Sequence, residues 1–221
     1  MSTETLETKV EKKPAEGLLS KRRRKFVADP LNDDNPITVQ VLGICSALAV
    51  TTQLVPTSIM ALAVVFVIVA SNIIISLLRN FIPQRIRIIV MLGVIATLVA
   101  LVDQVLKAYA FDVSKQLSVF VGLIITNCIV MGRLEAFAMG NKPWDSFLDG
   151  MGSGIGYAWV IILVAFVREL WGSGSVFGFK LFEEWGIPFT ANGLMVSSIG
   201  AFIILGIIIW VQRSFTGYVE H

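Results

Sequence analysis

Two cysteines are the residues of this chain whose side chains are best suited to redox or metal chemistry. Cys45 and Cys128 are the only cysteines among its 221 residues, and each lies in an apolar stretch. The single histidine, His221, is the last residue, so acid–base catalysis or metal binding by histidine inside a membrane is disfavoured. Three interpretations of the cysteines are open: inert packing residues, a disulfide, or thiolate ligands of a soft metal centre.

A metal centre would need more ligands than the two cysteines provide. An iron–sulfur cluster held only by thiolates normally takes four cysteines, and this chain has two. A second subunit would therefore have to supply the other two. Small neighbours of Cys45, namely Gly43, Ser46 and Ala47, would let a bulky cluster and a partner backbone approach closely. Backbone N–H groups freed by a helix break would hydrogen-bond to the sulfur atoms and tune the potential.

The composition indicates an integral membrane protein with a polar N-terminal tail. Hydrophobic residues make up 55% of the chain, charged residues 15%, and the mean hydropathy is +0.77. A span needs about 20 apolar residues. Six apolar segments are predicted, and the first and fourth are short or interrupted by Gly, Ser, Thr and Asn: Ile37–Leu54, Ser58–Leu78, Ile86–Leu106, Leu117–Met131, Met151–Leu170 and Gly193–Val211.

These segments predict an all-α fold of six transmembrane helices, arranged as two inverted three-helix repeats. Three is an odd number, so the second set enters the membrane with the opposite orientation, and a short or broken helix opens each set. One cysteine lies in each opening segment, which would bring Cys45 and Cys128 to similar depth. The predicted divisions are a disordered cytoplasmic tail, two membrane repeats and a cytoplasmic C-terminal tail, at residues 1–35, 36–106, 107–212 and 213–221.

The positive charges predict the orientation. From residue 21 onward, eleven Lys and Arg residues lie on one predicted side of the membrane and four on the other. The positive-inside rule then places both termini in the cytoplasm. The basic run Lys21–Lys25 is interpreted as a topogenic cluster before the first span rather than as a nucleic-acid site.

Several motifs make the chain similar to a known family. "GICSALAVTT" (43–52) and "TNCIVMGRLEAFAM" (126–139) resemble signature segments of the membrane subunits shared by sodium-translocating NADH:quinone oxidoreductases and the related Rnf ferredoxin:NAD oxidoreductases. "SFLDGMGSGIGY", "RELWGSGSVFG" and "NGLM" continue the resemblance, which covers roughly residues 30–215. "VMGR", "EAFAM" and "RELWGSG" are more similar to the D subunits of the quinone reductases than to their Rnf counterparts.

The resemblance implies a role in electron transfer. The family carries an intramembrane [2Fe–2S] cluster between its D and E subunits, so Cys45 and Cys128 would be this chain's two ligands and the paralogous E subunit its partner. The chain would then carry electrons across the bacterial inner membrane as part of a six-subunit sodium pump. Flavins and the NADH site would lie on other subunits, because this chain has neither an SGAT flavin-attachment motif nor a GxGxxG fingerprint. It would have no catalytic residue of its own.

Two other classes of function remain open. One is a small inverted-repeat ion transporter with inert cysteines, and the other is a structural membrane scaffold. The equivalent subunit of an Rnf complex is an alternative within the same family.

Other polar residues lead to secondary predictions. Asp103 is expected to pair with Lys107, four positions on. Four charged residues lie near segment ends: Arg133, Glu135, Arg168 and Glu169. Local pairing and a place near the cation path are open for them, and docking of another subunit is the favoured role. The glycine pairs 150/154 and 152/156 are expected to allow close helix packing.

Overall fold

The computed structural model describes residues 35–83, 85–109, 122–176, 179–180 and 193–216. The predicted N-terminal tail with its basic cluster lies outside the described residues, except for residue 35. So do the first part of the fourth predicted segment, residues 181–192 and the end of the C-terminal tail.

Helices form almost all of the regular structure in the described part of the chain. A minimal antiparallel ladder pairs Ser175 with Lys180 and Val176 with Phe179. The elements follow in this order: α1 Ile44–Val50, α2 Leu54–Leu78, α3 Arg87–Tyr109, α4 Cys128–Arg133, a π-helical turn Leu134–Ala138, α5 Pro143–Ser173, β1 Ser175–Val176, β2 Phe179–Lys180, α6 Gly193–Val196 and α7 Ser198–Thr216.

Three of the described helices are long and apolar enough to cross a membrane. They cover Leu54–Leu78, Arg87–Ala108 and Pro143–Gly172, and a shorter apolar helix covers Ser198–Ser214. The second, third and fifth predicted segments each coincide with one of the three long helices, which confirms an all-helical membrane protein. The fifth begins eight residues earlier than predicted, with Pro143 in its first turn, where proline's missing N–H costs nothing. The arrangement as six helices in inverted repeats stays a prediction.

Helices α2 and α5 pack backbone against backbone. A β-carbon added to Gly154 would lie 3.3 Å from the Cα atom of Val65, and one added to Gly150 would lie 3.3 Å from that of Val69. Both glycines therefore allow the close approach that their spacing predicted. The buried apolar core fills the space around this contact, with Val64 of α2 and Ile161 of α5 among its members.

Candidate functional site

The first cysteine lies just after a break in the backbone. Val41 and Gly43 both adopt positive φ, at 59° and 83°. A β-carbon on Gly43 would lie 3.0 Å from the ring of Tyr157, so glycine is required here both by conformation and by space. Helix α1 begins immediately afterwards at Ile44, and Cys45 is its second residue.

The second cysteine also lies just after a break. Residues 122–125 are helical, the helix stops at Thr126, and Asn127 has an extended backbone with ψ of 120°. Its side-chain oxygen accepts a hydrogen bond from the N–H of Ile129, which makes Asn127 the N-cap of α4. Cys128 is the first residue of that helix.

The structure brings the two thiols together. The side chains of Cys45 and Cys128 are close enough to interact directly. Both cysteines are free thiols, and both are exposed at the surface of the chain. The pair is therefore accessible to a second protein.

A buried polar network lies behind the cysteine pair. The Ser46 hydroxyl donates to the carbonyl oxygen of Gly43 (2.8 Å) and lies 2.7 Å from the Tyr157 hydroxyl. The side-chain amide of Asn127 donates to the same Ser46 oxygen at 3.2 Å. The side chains of Ser46, Asn127 and Tyr157 are at most 1% exposed. The network therefore joins the first break, the second break and helix α5.

Helix α5 indicates where the pair lies relative to an apolar span. Tyr157 lies fourteen residues from Pro143 and fifteen from Gly172, at the middle of the apolar helix. The cysteine pair beside Tyr157 therefore lies level with the middle of α5.

The two cysteine-bearing helices point in opposite directions along α5. Their N-termini meet near Tyr157. Arg133, the last residue of α4, forms an ion pair with Asp149 towards the N-terminal end of α5. The carbonyl oxygen of Leu48, near the end of α1, accepts a hydrogen bond from Arg168 towards the other end. Two helices that diverge from one point in this way are antiparallel.

The predicted assembly role of Arg168 and Glu169 is wrong, because this chain buries both side chains. They are 1% and 6% exposed. At the C-terminal end of α1, Arg168 donates to Leu48 O (3.2 Å) and Thr51 Oγ1 (2.6 Å). At the C-terminal end of α6 it donates to Val196 O (2.7 Å) and Ser197 O (3.2 Å). Glu169 accepts from the N–H of Leu54, the first residue of α2.

The charged groups of Arg168 and Glu169 lie next to helix ends and bind the backbone groups there. The last carbonyls of a helix lack intrahelical donors, and its first N–H groups lack acceptors. A guanidinium next to the C-termini of α1 and α6, and a carboxylate next to the N-terminus of α2, satisfy those groups and also match the helix dipoles.

Other charged residues pair within the chain. Arg133 binds the buried carboxylate of Asp149, so its predicted role in assembly is not supported by the geometry. Glu135 pairs instead with Arg87 of α3, at an exposed position. The predicted pair of Asp103 and Lys107 is confirmed, with 2.6 Å between the two groups.

Sequence reasoning missed Tyr157 and Asp149 as partners of the cysteine-bearing helices. A tyrosine in the middle of an apolar helix is a usable signal, because its hydroxyl needs a partner inside a membrane. Which residue is the partner depends on the tertiary fold, and spacing along the sequence does not predict it.

The two thiols are suited to be half of the ligands of a metal centre shared with another subunit. Among the described residues, no three His, Cys, Asp or Glu side chains come together to hold a metal ion. Two adjacent, exposed thiols match what one of two subunits would contribute to a four-thiolate cluster.

Comparison with known proteins confirms the resemblance shown by the motifs. A family model described as "Rnf-Nqr subunit, membrane protein" matches residues 24–209. The D subunit of the Na(+)-translocating NADH-quinone reductase of Haemophilus ducreyi is 55% identical over 193 residues, covering 86% of this chain and 93% of that protein. The protein of the same name from Haemophilus influenzae is 58% identical over 187 residues, covering 84% and 90%. That from Proteus mirabilis is 54% identical over 197 residues, covering 88% and 94%.

Proposed function

Since this chain belongs to the Rnf-Nqr family of membrane-protein subunits, we propose that it works in a sodium-translocating NADH:quinone oxidoreductase and holds half the ligands of an intramembrane [2Fe–2S] cluster. Cys45 and Cys128 are the two ligands in this proposal. The names of the relatives support the assignment of the chain to this complex. The observation that carries the ligand assignment is the adjacency of the two thiols at the surface of the chain.

The helix ends around the cysteines suit thiolate ligands. Each cysteine lies in the first turn of its helix, where N–H groups have no carbonyl partner and the dipole is positive. N–H groups in these first turns would reduce the cost of a negative sulfur at membrane depth.

An electron carrier at this position would shorten the path across the membrane. When bound, an iron–sulfur cluster accepts and donates single electrons. The chain's own contribution is to hold the two sulfurs beside Tyr157, near the middle of α5. From there each membrane face is about 15 Å away, half of a core about 30 Å thick.

The partner that completes the site is proposed to be the paralogous E subunit. The antiparallel directions of α1 and α4 support the inverted-repeat architecture, with the cysteines where the two repeats meet. Both termini are proposed to lie in the cytoplasm and the complex in the bacterial inner membrane, on the basis of the distribution of Lys and Arg.

The family also includes Rnf subunits, which provide a second candidate function. The three relatives compared above are all named for the quinone reductase, and this favours the first candidate. A subunit of an Rnf complex would use the same cysteine pair. Finding a soluble NADH-oxidising flavoprotein among the subunits that co-purify with the chain separates the two.

The test is the iron content and EPR spectrum of the purified complex carrying Cys45→Ser or Cys128→Ser. Each variant is expected to lose about two irons and one cluster signal per complex while all subunits still co-purify. Ser58→Ala is the matched control, because Ser58 bonds only locally, to Val55 O, at an exposed position. Full iron content and an unchanged spectrum in both cysteine variants would refute the ligand assignment and favour the transporter or scaffold.

A further inference from the structure

The hydrogen bonds around Ser46 can be given directions. A serine hydroxyl has one hydrogen to donate, and that of Ser46 goes to the carbonyl of Gly43. The amide of Asn127 also donates to Ser46, because its oxygen is already the acceptor for the N–H of Ile129. Tyr157 must therefore donate its own hydrogen to Ser46 across the 2.7 Å contact.

Every partner in this network is next to a cysteine or to a break. Ser46 follows Cys45 directly in the sequence, and Asn127 directly precedes Cys128. The Tyr157 hydroxyl also interacts with the Asn127 side chain and lies within electrostatic range of Cys45. A displacement of this hydroxyl would thus be transmitted to both cysteine-bearing turns.

Packing alone does not explain a tyrosine at this position. A phenylalanine ring would fill the same space beside Gly43, where the Tyr157 ring lies 3.0 Å from the position that an added β-carbon would take. The hydroxyl adds a polar group at the middle of an apolar helix, where one without a partner is unfavourable. Its function therefore depends on the atom that it binds.

We propose that Tyr157 is a positioning residue for the cysteine pair: through Ser46, its hydroxyl holds the two helix breaks together and fixes the distance between the Cys45 and Cys128 sulfurs. The consequence for a bound cluster rests on the proposed function, but the consequence for the two thiols does not. Tyr157 contacts the supporting turn rather than the sulfur ligands themselves.

The first experiment measures the distance between the thiols without any cluster. The full chain is expressed in membranes without its partner subunits and treated with a short bifunctional methanethiosulfonate, and the linked Cys45–Cys128 fraction is quantified by mass spectrometry. Tyr157→Phe and Ser46→Ala are both expected to lower this fraction several-fold. Ser71→Ala is the matched control, since that buried hydroxyl bonds only to Ile68 within α2, and it should leave the linked fraction unchanged.

The second experiment examines the purified complex. Tyr157→Phe is expected to retain the cluster but to change its EPR line shape and midpoint potential, whereas Ser71→Ala should change neither. Ser46→Ala provides an independent second variant, because it removes the same contact from its other end. It should therefore change the line shape and potential in the same direction as Tyr157→Phe.

The results separate the two proposals. A linked fraction equal to wild type in both Tyr157→Phe and Ser46→Ala would overturn the positioning role, whatever the cysteines bind. An unchanged EPR spectrum and potential in both variants would overturn its extension to the bound cluster. Intact iron content in the cysteine-to-serine variants would refute the proposed function, while loss of cross-linking in Tyr157→Phe would still support the positioning role.

Discussion

Replacing Arg168 by methionine should destabilise the fold by about 3 kcal/mol, mainly through two backbone carbonyls that lose a charged donor. Arg168 donates to two acceptors at the C-terminal end of α1 and to two at the C-terminal end of α6. Two of the four keep another hydrogen bond, because the Thr51 hydroxyl donates to Ala47 O and Ser197 O accepts from Ala201 N–H. The carbonyls of Leu48 and Val196 account for a cost of about 1–3 kcal/mol each, and relief of guanidinium desolvation offsets part of this.

The assay is a titration of the purified chain from mild detergent micelles into SDS, followed by resistance to a protease. Arg168→Met should move the unfolding midpoint to a lower SDS fraction. Arg168→Lys keeps the charge but has a single ammonium group in place of the forked guanidinium, so it should retain only part of the stability. Arg87→Met is the matched control, because the ion pair of Arg87 with Glu135 is exposed and should contribute less than about 1 kcal/mol.

The free energies of unfolding of Arg168→Met and Arg87→Met are compared to test whether the buried hydrogen bonds of Arg168 stabilise the fold. If their free energies of unfolding agree within about 0.5 kcal/mol, burial of the Arg168 hydrogen bonds does not stabilise the fold and the reasoning fails. Helix α1 gives a physical reason to expect this sensitivity. Its seven residues are too few for a stable isolated helix, so its ends depend on tertiary partners.

Two further predictions concern helix packing and surface charge. Gly150→Ala should destabilise the chain by about 1–3 kcal/mol, since its β-carbon would lie 2.8 Å from Nδ2 of Asn72 and also press on the α2 backbone. Gly93→Ala, with no atom within 4 Å of the new carbon, should be neutral or stabilising by up to about 1 kcal/mol in the same SDS titration; equal shifts for the two would contradict the close-packing argument. Lys107→Gln should change the free energy of unfolding by less than about 0.5 kcal/mol, because the Lys107 side chain that pairs with Asp103 is largely exposed, and a larger loss would indicate a structural role for that pair.

Hydropathy predicted the long helices well but placed their ends less well. Burial of apolar side chains in lipid or in the core is a property of a whole segment, so α2, α3 and the centre of α5 could be predicted from composition. The start of α5 could not, because Trp144, Asp145 and Asp149 interrupt the apolar run. Asp149 is tolerated in the helix since Arg133 neutralises it, and that contact spans sixteen residues of sequence.

The two helix breaks beside the cysteines were predictable from the sequence, but the contacts that support them were not. Gly43 and Asn127 mark the two breaks because glycine allows positive φ and asparagine caps helices. The predicted surface position of Arg168 was wrong for a definite reason. Hydropathy assigns a charge at the end of an apolar run to the membrane interface, but the partners of this guanidinium are backbone carbonyls more than 25 residues away along the chain.

The opposed directions of α1 and α4 have an electrostatic consequence that neither helix would have alone. Their N-termini converge on the cysteine pair, so two positive dipole ends face the same point beside the middle of α5. Thiolate ligands would bring negative charge to that point, where lipid cannot solvate it. The C-termini point towards opposite ends of α5, where each is met by an arginine, Arg168 at α1 and Arg133 at α4. The converging N-termini of the two broken helices would thus offset part of the negative charge of the thiolate ligands proposed here.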